Sequence, residues 1–90
     1  MGSNYSSVEA MDQMIKAIET FAEMLQEIER ILKRKYASVG ADWKDLQYER
    51  LGNNLDELYA AIGQIYPKVS ETQIRIQISK RALEDYLNLR

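Results

Sequence analysis

Carboxylates are the residues best placed to do chemistry in this chain. Glu19, Glu23 and Glu27 form one row at helical spacing, and Asp42, Asp45 and Glu49 form another. Carboxylates on facing helices can hold metal ions, but the usual di-metal bundle takes Glu-x-x-His ligands, and the chain has no His. It has no Cys either. Disulfides, thiol nucleophiles, Cys/His metal sites and imidazole acid–base catalysis are therefore excluded together. The acidic rows read as solvated helix faces. Six Tyr is a high count, yet Tyr48 and Tyr86 fall on an apolar helical stripe and Tyr59 and Tyr66 flank it, as packing rings would. Lys33-Arg34-Lys35 could meet phosphate, but cations in the last turns of a helix answer its negative end. Met1-Gly2-Ser3-Asn4-Tyr5-Ser6 fits an N-myristoylation pattern short enough to arise by chance. No catalytic, cofactor or metal site is expected, and the chain reads as a non-enzyme.

What remains is the scaffold. Ninety residues make one domain. Hydrophobic residues are 46% and charged residues 29%, the usage of an ordered soluble chain. A formal net charge of -2 gives no footprint for nucleic acid, and no run is long and apolar enough to enter a membrane as a span. Alternation of period two is absent, so the fold class is all-α.

The first periodic segment predicts a helix over about 7–38. Its stripe is Val8, Met11, Ile15, Ile18, Ala22, Leu25, Leu32 and Tyr36, broken by Glu29. A flanking row of Met14, Phe21, Ile28 and Lys35 widens the apolar face at its first three members. Ser6 or Ser7 is the expected N-cap, Ser6 with Glu9 having capping-box spacing. A turn is expected over about 38–42, around Gly40. A second helix over about 43–88 should follow, capped by Asp42. Its seam is Tyr48, Leu51, Leu55, Leu58, Ile62, Ile65, Val69, Thr72, Ile76, Ser79, Leu83, Tyr86 and Arg90. The register passes Pro67 without a slip, which favours one long helix kinked near 62–67. A break at Tyr66–Pro67 stays open as the alternative.

A short connection makes the helices antiparallel neighbours. The acidic start of the first (Glu9, Asp12, Glu19, Glu23) then meets the basic end of the second (Arg75, Lys80, Arg81), and Arg30, Lys33 and Arg34 lie level with Glu49, Asp56 and Glu57. The longer second helix should overhang the first, carrying Ile76, Ile78, Leu83, Tyr86, Leu87 and Leu89. One hairpin buries only one seam, so the expected assembly is a four-helix bundle, as a homodimer or a heterodimer. A monomeric three-helix bundle turning at Pro67 is the competing arrangement.

At the turn stands Val39-Gly40-Ala41-Asp42-Trp43-Lys44-Asp45-Leu46-Gln47-Tyr48. Two long helices with a lone Trp at their turn, in a chain of this length without Cys, resemble the Trp-x-Gly family of small type VII secretion proteins, the group of the early secreted mycobacterial antigens. The resemblance implies a helical hairpin that dimerises into a four-helix bundle and leaves a bacterial cell without a signal peptide, after a cytoplasmic stage. It also implies service as partner or chaperone to a larger secreted effector. The family's third motif position is Gly and here it is Asp45, so Trp43-x-Asp45-x-x-Tyr48 looks like a Trp-x-Asp-x-x-aromatic variant. The family's C-terminal Tyr-x-x-x-Asp/Glu export signal has no counterpart: Arg90 follows Tyr86, Gly63 follows Tyr59, and the one match, Tyr5 to Glu9, lies at the opposite end. A partner is then left to supply the signal. Read from the residues alone, Trp43 is a lid over the turn with its N–H on a free carbonyl, or a contact for a partner. The reading from a different class is a cytoplasmic coiled-coil adaptor or regulatory bundle unrelated to secretion.

Overall fold

A computed structural model describes residues 2–88, with side chains from Ser7 onward. Three helices follow in order: α1, Gly2–Val39; α2, Leu46–Gly63; α3, Ile65–Asn88. Among the described residues there is no strand. The molecule is a rod of 69 × 18 × 13 Å with a radius of gyration of 20.4 Å. A compact chain of this length would have a radius of gyration of about 12 Å. The narrow section, with Tyr36 stacked on Tyr48 at one end and Asp12 paired with Lys80 toward the other, fits a hairpin-like arrangement in which α2 and then α3 follow α1 back along the rod.

No proline interrupts α1, and it runs on past both expected capping residues. Ser6 and Ser7 lie in continuous helix rather than at its start. The expected overhang is largely absent: Val8, near the expected start of the first helix, already lies level with Arg81 and Leu87 and shares a surface recess with them. Leu89 and Arg90 lie outside the described residues. An ion pair of 2.5 Å between Asp12 and Lys80 ties this end together, as the charge pattern proposes.

At its other end α1 unwinds through tight turns that satisfy its last carbonyls. Gly40 N–H donates to Tyr36 C=O at 3.1 Å, and both Asp42 and Trp43 N–H donate to Val39 C=O, at 3.1 and 3.0 Å. The Val39 bonds hold Asp42 and Trp43 in the turn, so the cap of the next helix falls to Asp45 instead of Asp42. Asp45 is extended (φ -102°, ψ -176°), and its carboxylate accepts from the N–H groups of Gln47 and Tyr48.

Between α2 and α3 the helix is interrupted only at Gln64, whose N–H donates to Ala61 C=O at 3.2 Å in a tighter turn. Pro67 explains the position. It has no N–H to give the Gly63 carbonyl, and its ring crowds that same carbonyl. The break therefore falls a turn upstream, not at Tyr66–Pro67, and Pro67 sits in the first turn of α3, where a missing N–H costs little. Phase survives the break: Tyr48, Leu55, Ile62, Val69, Ile76 and Leu83 all remain wholly or partly buried.

Candidate functional site

Two residues of the turn motif, Trp43 and Asp45, are bonded to each other. Trp43 Nε1–H donates to Asp45 Oδ1 at 2.7 Å, where a free backbone carbonyl is the expected acceptor. The same oxygen accepts from Gln47 N–H at 2.9 Å and Tyr48 N–H at 3.2 Å. Asp at the third motif position is thus the helix cap and the anchor of the indole at once, two tasks a glycine side chain cannot perform. The Trp43 ring leans on Tyr48, with centroids 5.7 Å apart and planes at 59°.

Asp45→Ala removes all three bonds. It is expected to cost about 1–2 kcal/mol and to shift Trp43 emission to the red in the folded state. Asp45→Asn keeps an acceptor oxygen and should restore most of both. Equal stability of wild type and Asp45→Ala in chemical denaturation would remove the capping role.

Behind the motif lies a clasp. Tyr36 and Tyr48 stack with centroids 4.1 Å apart and planes at 4°. Tyr36 O–H donates to Tyr48 C=O at 3.0 Å, and Tyr48 O–H donates to Tyr36 C=O at 2.7 Å. A helical carbonyl is normally screened by the side chain four residues on. Here those residues are Gly40 and Gly52, and a Cβ at either would overlap the Tyr48 or Tyr36 hydroxyl respectively. Gly40 is the expected turn residue, whereas Gly52 falls inside the expected span of the second helix. The missed signal is a repeat, Tyr36-x-x-x-Gly40 and Tyr48-x-x-x-Gly52.

The Tyr36 phenol is held above its ordinary value of 10.0, first by loss of water and then by the Tyr48 bond. The unfolded chain therefore releases this proton before the folded one does. Stability should be intact below about pH 10 and fall as pH rises beyond it. In Tyr36→Phe that alkaline decline should be shallower, which thermal melts across pH 9–11 can measure.

The helix 2 seam turns by one residue in every second position. Leu55, Ile62, Val69, Ile76 and Leu83 face α1, with Ile62 the one buried residue among those described. The intervening row is Gly52, Tyr59, Tyr66, Gln73, Lys80 and Leu87, all partly covered. Leu51, Leu58 and Tyr86, expected in the seam, are 37%, 45% and 53% exposed, and Thr72 and Ser79 are exposed as well. Ile65 is half-buried. The covered row carries its own cost, since the Tyr59 and Tyr66 hydroxyls are buried without a hydrogen-bond partner. Lys33 Nζ lies 4.9 Å over the Tyr59 ring and pairs with Glu29 at 2.8 Å, while Arg30 pairs with Glu27 along its own helix. These α1 cations therefore find their closest acidic partners within α1.

This rotation gives the hairpin two unlike faces. One bears Lys33, Tyr59, Lys80 and Asp12. The other is an apolar groove, with Met14, Phe21, Ile65 and Val69 along one stretch and Leu32, Val39, Trp43 and Leu51 along another. No family model, curated protein or solved structure matches the chain. Among the described residues no group of three or more carboxylates gathers to hold a metal ion, and no helix is long and apolar enough to cross a membrane. What the described surface offers is shape, apolar area and a rigid turn.

Proposed function

We propose that this chain is a non-enzymatic protein that works by helix–helix pairing, in the manner of the small type VII secretion proteins it resembles. It serves as a secreted dimer or as helper to a larger secreted effector, with Trp43 presented at the tip of the rod. One observation carries the pairing. The hairpin exposes 7032 Å², where a compact folded chain of 10.5 kDa would expose about 5,400 Å². The excess includes Met14, Phe21, Met24 and Ile28, each about half exposed. Continuous apolar surface of this kind marks a protein-interaction site. The bond from Trp43 to Asp45 supports the tip as a preformed feature, because it fixes the ring before any partner arrives.

Secretion is tested in the source organism by following the chain and its bound partner in cells and medium, with wild-type protein and Trp43→Ala. The expected result is wild-type chain in the medium and Trp43→Ala retained in cells while still folded and paired. Wild-type chain confined to the cell would replace the secretion reading with a cytoplasmic adaptor. Normal export of Trp43→Ala would leave the indole a structural role only.

A further inference from the structure

We infer that residues 71–81 of α3 hold a second conformation: once α3 opens from α1, this stretch pairs as an antiparallel β-strand with the same stretch of another copy of the chain. Neither the apolar face of α1 nor helix pairing is involved. Alternation of period two, expected to be absent, runs through eight residues here, Thr72-Gln73-Ile74-Arg75-Ile76-Gln77-Ile78-Ser79. Four of the eight are β-branched, and neither Gly nor Pro interrupts them, which is the composition of a strand that stacks on its own kind.

A helix serves this pattern poorly. Ile74 and Ile78 stand four residues apart and share one side of α3, while Ile76 falls on the other side. Ile76 is half-buried, but Ile74 and Ile78 are 56% and 64% exposed, and Ile78 is the most exposed large apolar side chain among those described. At the start of the stretch, Thr72 Oγ1–H donates back to Lys68 C=O at 2.7 Å, a bond that competes with the helix ladder. In a strand, Ile74, Ile76 and Ile78 share one face, and Gln73, Arg75, Gln77 and Ser79 share the other. The helix is therefore held here from outside, by Ile76 and Leu83 against α1 and by the 2.5 Å ion pair of Lys80 with Asp12. Local preference and position in the fold disagree, and the disagreement is released when α1 lets go.

One register makes the stretch complementary to itself. With Ile76 opposite Ile76 of an antiparallel copy, Ile74 meets Ile78, Arg75 meets Gln77, Gln73 meets Ser79 and Glu71 meets Arg81. All three isoleucines are then paired across the strands on one face, and the acidic residue of the stretch meets a basic one. The two Arg75 side chains stand a diagonal step apart and not face to face. Sliding a strand by two residues sets Arg75 on Arg75 in one direction and Ile74 on Lys80 in the other, and sliding by one mixes the apolar and polar faces. Parallel strands in register would stack Glu71, Arg75 and Arg81 each on its own like charge. Matched to itself in apolar and charged positions at once, the stretch selects its own copy over the edge of a foreign sheet.

The full chain, held at the midpoint temperature of its thermal unfolding, should form fibres that bind thioflavin T and diffract at the roughly 4.7 Å spacing of β-strands. Ile78→Lys changes an exposed helical position, so the hairpin should melt as the wild type does while the lag before fibres lengthens at least about tenfold. Leu58→Lys, at an exposed position of α2 outside the stretch, should leave the lag unchanged. Asp12→Asn, which loosens Lys80 from α1, should shorten it. Charge exchange reads the direction: Glu71→Lys and Arg81→Glu should each slow assembly, and the two together should restore it. A wild-type chain that gives no fibres at its midpoint, at any concentration, would overturn the strand conformation. Equal lags for wild type and Ile78→Lys, or an equal delay from Leu58→Lys, would overturn the assignment to residues 71–81. A lag unmoved by Asp12→Asn would overturn the hold of α1 on the stretch, and single charge changes without effect, or a pair without rescue, would overturn the antiparallel register.

Discussion

Ile62→Ala is expected to be the most damaging truncation in helix 2, at about 2–4 kcal/mol. Ile62 is 7% exposed and is the only buried residue among those described. It lies two residues before Gln64, so it fills the seam where the helix is interrupted by a tighter turn. The neighbouring chain cannot collapse easily onto a hole there, because Gly63 offers no side chain and Pro67 fixes its own backbone. Leu55→Ala, at a half-buried position, should cost less, and Glu19→Ala, on an exposed face, about 0.5 kcal/mol or less. Chemical denaturation at one fixed protein concentration checks the order, since the proposed pairing would make stability depend on concentration. Equal midpoints for Ile62→Ala and Glu19→Ala would mean that Ile62 is not where the hairpin closes.

The all-helical fold was legible in the 3–4 spacing of α1 and in the unbroken phase across Pro67. Which face of helix 2 turns inward was not. Leu51, Leu58 and Ile65 are more apolar than Gly52, Tyr59 and Tyr66, so an apolarity count assigns them to the seam. A helix with two apolar rows does not say which row its own hairpin takes and which it leaves open, because the hydrophobic effect has no direction. The cap was ambiguous for a similar reason. Asp42 and Asp45 both stand ahead of the apolar run, and the choice depends on the Val39 carbonyl, which holds Asp42 and Trp43 in the turn. Ser6 and Ser7 mislead as caps because serine sits in a helix interior at modest cost when nothing after it demands a start. The Trp-to-Asp bond was within reach of the sequence, since the two stand two positions apart and one carboxylate oxygen can accept several donors.

Gly52→Ala should destabilise the protein, against the usual sign for glycine inside a helix. Helix propensity alone predicts a gain of about 1 kcal/mol from this change. Gly63→Ala should show that ordinary behaviour, because a Cβ there meets nothing within 4 Å. At Gly52 the added methyl overlaps the Tyr36 hydroxyl and drives the ring from its place. Displacing Tyr36 loses its bond to Tyr48 C=O, the return bond from Tyr48 and the stacked contact between the rings. Each hydrogen bond contributes about 1 kcal/mol and the stack about 0.5–1.5 kcal/mol, so the propensity gain is outweighed and the net loss is about 1.5–2.5 kcal/mol. Tyr36→Phe separates the contributions, since it removes one hydroxyl and leaves both rings. In that background Gly52→Ala should cost less, because the hydroxyl it overlaps is gone and only the ring carbon at 2.9 Å still has to shift. This double-mutant cycle reads the clasp directly. If Gly52→Ala costs the same in the wild type and in the Tyr36→Phe background, the clash is not with the hydroxyl. If Gly52→Ala stabilises the wild type, the two tyrosines do not close the turn and Trp43 must be positioned by Asp45 alone.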